Sequence, residues 1–178
     1  MDLYTVLENR RSIRKYLPDP VETGTLRKLL EAARLAPSWK NGQCWRFLVI
    51  RDPEKRERLA AALPEMNPAR KGMAEAPVTI VLCAKPEESE RHEGKDYYLL
   101  DAGLAMQQLM LAAHAEGLGT CWVAWFDEEK IRRICSVPPE YRIVALTPLG
   151  VPARQPSPRG RKPLEEIAFL EEWGRPFN

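Results

Sequence analysis

The chain has 178 residues, 44% of them hydrophobic, and no shift in composition divides it, so we expect a single domain over residues 1–178. Its 27 basic and 25 acidic residues leave a net charge of +2, which argues against a dedicated nucleic-acid binder. The longest apolar runs are too short to span a bilayer, and the start Met1-Asp2 does not resemble a secretory signal. We therefore expect a cytoplasmic protein without membrane or nucleic-acid partners.

Hydrophobic spacing predicts two helices, a strand and a third helix in the first third of the chain. Asp2 is a plausible N-cap for a helix that begins at Leu3. The second helix places four apolar residues on one stripe and ends at Pro37. Residues 46–50 resemble a strand closed by the Asp52-Pro53 turn, and a charged, alanine-rich helix follows over residues 54–63.

The middle of the chain contains the segments that we expect to be most buried. Residues 78–84 are apolar without a break, which is typical of a central strand buried on both faces. Residues 97–116 carry apolar side chains around most of the circumference, so we expect a helix buried on nearly all sides. A strand over residues 120–125, a helix from the Asp127 cap to Cys135 and a strand over residues 142–149 complete about four strands and five helices.

The tail changes character. Residues 150–163 contain four prolines, which predicts an extended arm, and residues 164–173 are amphipathic again. An apolar segment beyond such an arm needs a surface to cover, and that surface can belong to a second subunit.

Cysteine and histidine usage gives little support to metal or nucleophilic chemistry. The four cysteines are scattered without a close pair, and His92 and His114 lie far apart in sequence. Neither spacing suits a disulfide framework, a metal ligand set or a Cys/His nucleophile, so we expect no metal.

Two groups of cations are candidates for binding an anion. Residues 10–15, Arg10-Arg11-Ser12-Ile13-Arg14-Lys15, combine forked guanidinium donors with a hydroxyl, as a phosphate site requires. A solvated basic helix end explains the same cluster. The second group, in the arm, is Arg154, Arg159, Arg161 and Lys162. A solvated basic arm explains that group equally, and nucleic-acid binding is a third interpretation that the low net charge weakens.

A polar, aromatic loop joins the second helix to the first strand. Asn41 and Gln43 can donate to and accept from the edge of a uracil-like ring, and Trp39 can lie on a flat aromatic face. Local capping explains Ser38 and Asn41 as well. Further on, Trp122 occupies the place of the third glycine of a dinucleotide fingerprint, so a Rossmann site is not expected. Trp122 and Trp125 are also of the type that strands bury in a core.

Taken together, these motifs resemble the nitroreductase family of flavoproteins in order and spacing. The resemblance rests on residues 10–14, 36–45, 101–107, 117–122 and 149–152 with the basic arm, and it covers nearly the whole chain. It implies an α+β fold with a mixed central sheet flanked by helices. It also implies an intertwined homodimer in which residues 150–178 of each chain pack on the partner, with FMN bound at the interface.

The resemblance further implies a role for each motif. Arg10, Ser12, Arg159 and Arg161 resemble phosphate and ribityl contacts, with Arg11 adjacent, and Arg14 resembles the cation beside the flavin pyrimidine. Pro37, Ser38 and Asn41 resemble contacts from the other subunit, and the backbone of residues 123–125 resembles the strand beside flavin N5. The complete set of implied flavin contacts is Arg10, Arg11, Ser12, Arg14, Pro37, Ser38, Trp39, Asn41, Gln43, Trp122, Val123, Ala124, Trp125, Arg159 and Arg161.

The chemistry implied by the resemblance is ping-pong reduction of a small electron-poor acceptor by NADH or NADPH, with no catalytic side chain because the flavin carries the reaction. Two alternatives are a protein of the same fold that binds or modifies flavin, and a non-catalytic dimeric module for an anionic partner. The chain departs from the family pattern at Cys44, where proline is usual, at Trp125, where many members have glycine, and in the short segment 64–77. These departures suggest an open or reshaped pocket.

Overall fold

A computed structural model of the chain describes residues 2–177. Its α-helices are α1 (Leu3–Asn9), α2 (Thr23–Arg34), α3 (Pro53–Ala61), α4 (Arg70–Glu75), α5 (Tyr97–Ala115) and α6 (Glu128–Cys135). Its strands are β1 (Trp45–Ile50), β2 (Val78–Ala84), β3 (Arg91–His92), β4 (Lys95–Asp96), β5 (Gly119–Thr120) and β6 (Arg142–Gly150).

The central sheet has four strands in the order β1-β2-β6-β5, and each neighbouring pair is antiparallel. Ser12 adds a parallel bridge to Thr120 at the β5 edge. Strands β3 and β4 form a separate two-stranded hairpin. The predicted α+β fold with a mixed central sheet is confirmed.

Strand β2 separates two hydrophobic cores, because side chains alternate between the faces of a strand. Val78, Ile80 and Leu82 pack against residues of α2 and α5. Val81 and Cys83 face the other way and pack against residues of α3, α4 and α6. All seven residues of β2 are buried, which confirms the central strand predicted from its apolar run.

The two N-caps predicted from the sequence, Asp2 and Asp127, are confirmed. Asp2 accepts a hydrogen bond from the backbone N–H of Thr5 at 3.1 Å, and Asp127 accepts one from Lys130 at 3.0 Å. Asp52 caps α3 in the same way, by accepting from Lys55 at 2.8 Å. Each cap satisfies an N–H group that has no partner inside its helix.

The strand predicted over residues 120–125 is wrong beyond Thr120. Cys121 donates its backbone N–H to the hydroxyl of Thr147 at 3.0 Å, so the ladder with β6 breaks there. Pairing resumes only as an isolated bridge between Val123 and Leu146. Helix α4 and the β3–β4 hairpin were not predicted, because their short segments carry little periodic signal.

Helix α5 is confirmed in its position but not in its burial. Leu99, Leu100 and Leu104 are 45%, 57% and 47% exposed, so one face of α5 is not covered by its own chain. No helix within residues 2–177 is both long and apolar enough to cross a membrane.

The C-terminal arm leaves the sheet at the end of β6 and runs over the surface. Residues 153–167 are exposed, and residues 169 and 176 pair in a small hairpin in which Phe169 and Trp173 are in contact at a 5.0 Å centroid distance. The extended conformation predicted for the arm is confirmed.

Candidate functional site

The first cation group lies on a backbone segment that is fixed on both sides. The N–H of Ile13 donates to the carbonyl of Thr120 at 2.8 Å, and the N–H of Leu17 donates to that of Val151 at 2.9 Å. Residues 12–17 therefore lie between strand β5 and the start of the arm.

Two glycines make this close packing possible. A Cβ on Gly119 would come within 2.6 Å of the Ile13 side chain, and a Cβ on Gly72 would come within 2.5 Å of the Arg14 carbonyl oxygen. Contacts this short exclude any larger residue unless the backbone moves, so the two glycines fix the position of the cation segment.

Four residues of the first cation group and two of the second line one cavity of about 330 Å³, which we call the arginine cavity. The predicted residues that line it are Arg10, Arg11, Ser12, Arg14, Arg159 and Arg161. Glu8 is the only carboxylate on its wall within the described residues. Side chains almost 150 positions apart in sequence thus converge in space, as predicted for a shared anion site, and they do not follow an exposed stripe.

The arginines of this cavity are not neutralised by carboxylates. Arg11 donates to the carbonyls of Glu8 and Arg10, and Arg161 donates to those of Arg159 and Gly160. Across residues 2–177, no cavity arginine makes a salt bridge. The Nε of Arg14 is buried and has no hydrogen-bond partner there. Since forked guanidinium donors match phosphate oxygens, the cavity can bind a phosphate group.

Two titratable groups behind the cavity respond to its charge. Burial raises the pKa of the Cys121 thiol, and the neighbouring Arg14, Ser12 and Arg10 oppose that increase. Burial lowers the pKa of His114, and the charges of Arg10 and Arg11 lower it further. Nothing in the sequence connects His114 with the cations, because it lies more than 100 positions from Arg10 and Arg11.

The polar loop between α2 and β1 is held in an unusual backbone conformation. Lys40, Asn41 and Gln43 have φ values of 47°, 57° and 49°, in the left-handed region that non-glycine residues rarely adopt. The hydroxyl of Ser38 accepts from the N–H of Gln43 at 3.0 Å and so closes the loop, although its side chain does not cap the short 3-10 turn at Trp39–Asn41.

Asp101, a residue of α5 to which we assigned no role from the sequence, organises the same loop. Its buried carboxylate accepts from the N–H of Trp39 at 2.9 Å and from the hydroxyl of Ser89 at 3.0 Å, and the Cys44 thiol lies 3.8 Å away. Burial, followed by the charge of Asp101, raises the pKa of Cys44 to about 12. A lone carboxylate in an otherwise apolar helix was the signal that sequence analysis could have used.

The remaining predicted residues do not line the arginine cavity of the same chain. Trp39 stacks on Tyr97 and donates its indole N–H to Glu90, and Pro37, Asn41 and Gln43 are exposed.

The aromatic segment after β5 is also outside the cavity. Trp122 and Trp125 are 39% and 55% exposed, so their interpretation as core residues is wrong. Val123 is buried and Ala124 is exposed. Asn67 donates its side-chain amide to the carbonyl of Trp125 at 3.0 Å and so fixes the backbone there.

Comparison with known proteins identifies the family. The nitroreductase family profile matches residues 7–74 and 65–151. A protein named NADH dehydrogenase from Thermus thermophilus is 36% identical over 200 aligned positions, which cover 95% of this chain and 96% of that protein.

Two solved structures share the fold over nearly their whole length. A nitroreductase family protein from Clostridium novyi NT has a TM-score of 0.84 and 38% identity, and the match covers 99% of this chain and 97% of that one. An FMN-dependent nitroreductase from Clostridium difficile R20291 has a TM-score of 0.81 and 28% identity, with coverage of 94% and 98%. The profile match, the sequence identity and the shared fold together show that the chain belongs to the nitroreductase family.

Proposed function

We propose that the protein is an FMN-dependent oxidoreductase that takes a hydride from NADH or NADPH and reduces a small electron-poor acceptor, such as a nitroaromatic or a quinone, by a ping-pong mechanism. The observation that carries this proposal is the convergence of both cation groups on the arginine cavity. The names of the Thermus and Clostridium difficile relatives support a nicotinamide donor and a flavin, respectively.

The residues of the cavity fit a phosphate-bearing cofactor. Arg14 keeps a buried Nε without a partner, and the cavity arginines lack carboxylate partners within the described chain. In our proposal Arg10, Ser12, Arg159 and Arg161 bind the FMN phosphate and ribityl chain, with Arg11 beside them. Arg14 holds a positive charge near the pyrimidine ring, which favours electron uptake. Bound FMN supplies the hydride and electron transfer, so we assign no catalytic side chain.

We further propose that residues 1–178 form one domain and that the site is completed in a homodimer. Pro37, Ser38, Trp39, Asn41 and Gln43 lie outside the arginine cavity of their own chain, as contacts supplied to a partner's flavin would. Residues 122–125 then provide the wall beside the reactive face of the ring. The exposed apolar face of α5 and the exposed arm supply surface for that assembly. We place the protein in the cytoplasm.

An absorbance spectrum of the purified protein tests the proposal. We expect flavin bands after FMN is added, and bleaching when NADH or NADPH is supplied without air. Reoxidation by a quinone or a nitroaromatic then tests the second half-reaction. A protein that binds no flavin would contradict the proposal, and a stable oxidised band with both donors would favour a flavin-binding role without turnover.

A further inference from the structure

A second, smaller cavity adjoins the arginine cavity on the side of Lys15 and Arg154. It has a volume of about 180 Å³ and is lined by Ser12, Arg14, Lys15, Arg154 and Pro156. Ser12, Arg14 and Pro156 also line the arginine cavity, so the two spaces share a wall. The flavin contacts proposed above do not use Lys15 or Arg154.

We propose that Lys15 and Arg154, beside Arg14, form an anion subsite that binds a phosphoryl group of the nicotinamide dinucleotide donor. This inference rests on the proposed function, because it concerns how that enzyme recognises its donor.

Backbone pairing fixes the subsite although its two cations are exposed. The N–H of Ala153 donates to the carbonyl of Lys15 at 3.0 Å, and Tyr16 forms a bridge with Pro152. Lys15 and Arg154 therefore extend from two backbone segments that are paired with each other at the start of the arm. A binding site on paired backbone has a lower entropic cost of ordering than one on an unpaired tail.

The balance of charge indicates a second anion. Seven Lys and Arg side chains line the two cavities together, against the single carboxylate of Glu8. Neither Lys15 nor Arg154 makes a salt bridge within residues 2–177. A phosphate monoester carries at most about two negative charges, so FMN would leave a positive excess at the subsite.

The donor is the proposed ligand with the matching charge. NADH carries a diphosphate, and NADPH carries an additional 2′-phosphate, whereas simple quinones and nitroaromatics are uncharged. Cations next to the flavin phosphate can therefore attract the donor, whereas an uncharged acceptor gains nothing from them.

The test uses the FMN-loaded double variant Lys15→Gln/Arg154→Gln. We expect KM for the donor to rise roughly tenfold, as lost charge-assisted contacts predict. FMN affinity and the rate of reoxidation by an uncharged quinone should not change. An effect on NADPH alone identifies the 2′-phosphate as the ligand, and an equal effect on NADH identifies the diphosphate. KM values within about twofold of the unaltered enzyme for both donors, or a parallel loss of FMN affinity, would overturn the subsite.

A matched control separates local recognition from net charge. Lys95 and Arg133 are exposed and make no salt bridge in the described chain, so Lys95→Gln/Arg133→Gln removes the same charge elsewhere. We expect this variant to keep its donor KM. An equal rise in KM in the control variant would show a bulk charge effect and refute local recognition.

Calorimetric titration with adenosine 2′,5′-bisphosphate and with ADP-ribose tests the subsite independently of turnover. At least one probe should bind the unaltered protein and bind the Lys15/Arg154 double variant more weakly. If neither NADH nor NADPH reduces the flavin, the proposed function is wrong. The titration still tests separately whether the subsite binds a phosphoryl group. Equal binding to both proteins, or no binding to the unaltered protein, overturns the subsite.

Discussion

Arg161 offers a direct measure of how much one cation contributes to cofactor binding. It lies on the exposed arm and donates only to the carbonyls of Arg159 and Gly160 among the described groups, at 3.3 Å each. We expect Arg161→Ala to weaken FMN binding by about 1.5 to 3 kcal/mol, which is typical of a lost charge-assisted hydrogen bond. The melting temperature should not change, since the side chain supports no core contact. Fluorescence titration with FMN measures the effect, and Arg133→Ala serves as the control. Equal affinities in the two variants would refute the role of Arg161.

His114 should report on the charge of the arginine cavity. Burial lowers its pKa first, and Arg10 and Arg11 lower it further, so the folded protein favours the neutral imidazole. A depressed pKa in the folded state contributes stability above the unfolded value, and that contribution is lost as the pH falls through the folded pKa. An anion in the cavity should offset the arginine charges and raise the pKa of His114 toward its ordinary value. NMR titration of the ring protons, with and without FMN, measures the shift; a pKa that FMN leaves unchanged would argue against the coupling.

For single residues, the sequence predicted the position of the proposed anion-binding arginines better than the hydrogen bonds and charge interactions of buried side chains. Six of the implied flavin contacts line one cavity. Clusters of arginines remain positively charged whatever the fold, so their affinity for an anion can be predicted from sequence. The roles of Asp101 and His114 depend on residues far away in sequence, and no spacing along α5 encodes them. Trp122 and Trp125 were ambiguous for a related reason, since the same side chains suit a core and a ligand surface.

One carboxylate, that of Asp101, attaches the polar loop between α2 and β1 to helix α5. Asp101 is buried, and it accepts from the Trp39 N–H and the Ser89 hydroxyl. Asp101→Ala leaves these donors unpaired, so we expect a loss of about 2 to 4 kcal/mol in the free energy of unfolding. Asp101→Asn keeps a carbonyl acceptor for Trp39 and should cost less than half as much. Urea unfolding of both variants tests this prediction, and equal stabilities for Asn and Ala would show that the hydrogen bond to Trp39 contributes little.

Among the elements, the sequence predicted those whose signal is local. Aspartate caps identified the starts of two helices, at Asp2 and Asp127, because the capping group and the N–H it satisfies are three residues apart. Residues 121–124 show why the strand after Thr120 was overestimated: burial alternates from Cys121 to Ala124 as it does in a strand. A period of two reports the directions of side chains, whereas a ladder also needs a partner backbone, and the Thr147 hydroxyl occupies the Cys121 N–H instead.

In the whole molecule, several large apolar side chains are exposed to solvent in the single chain. Leu99, Leu100 and Leu104 leave one face of α5 uncovered, and Ile167 and Trp173 on the arm are 63% and 93% exposed. An exposed apolar helix face such as that of α5 usually marks an interface. The arm is well suited to exchange, because the hydrogen bonds found for residues 163–177 are local, such as that from the N–H of Leu170 to the carbonyl of Arg175.

Removal of residues 163–178 tests arm exchange without touching the cofactor cations, because Arg159 and Arg161 remain. Light scattering should give the full-length protein a mass of two 20.4 kDa chains and the shortened protein the mass of one. Its far-ultraviolet circular dichroism should stay nearly the same, since the removed segment makes local bonds in the structure.

The full-length variant Ile167→Ser/Trp173→Ser should dissociate as well, because burial of apolar side chains drives the association, whereas Glu165→Gln/Glu172→Gln should remain dimeric. FMN affinity should fall together with dimer content if residues 37–43 act across the interface. A shortened protein that stays dimeric at micromolar concentration would show that residues 163–178 are not required for assembly.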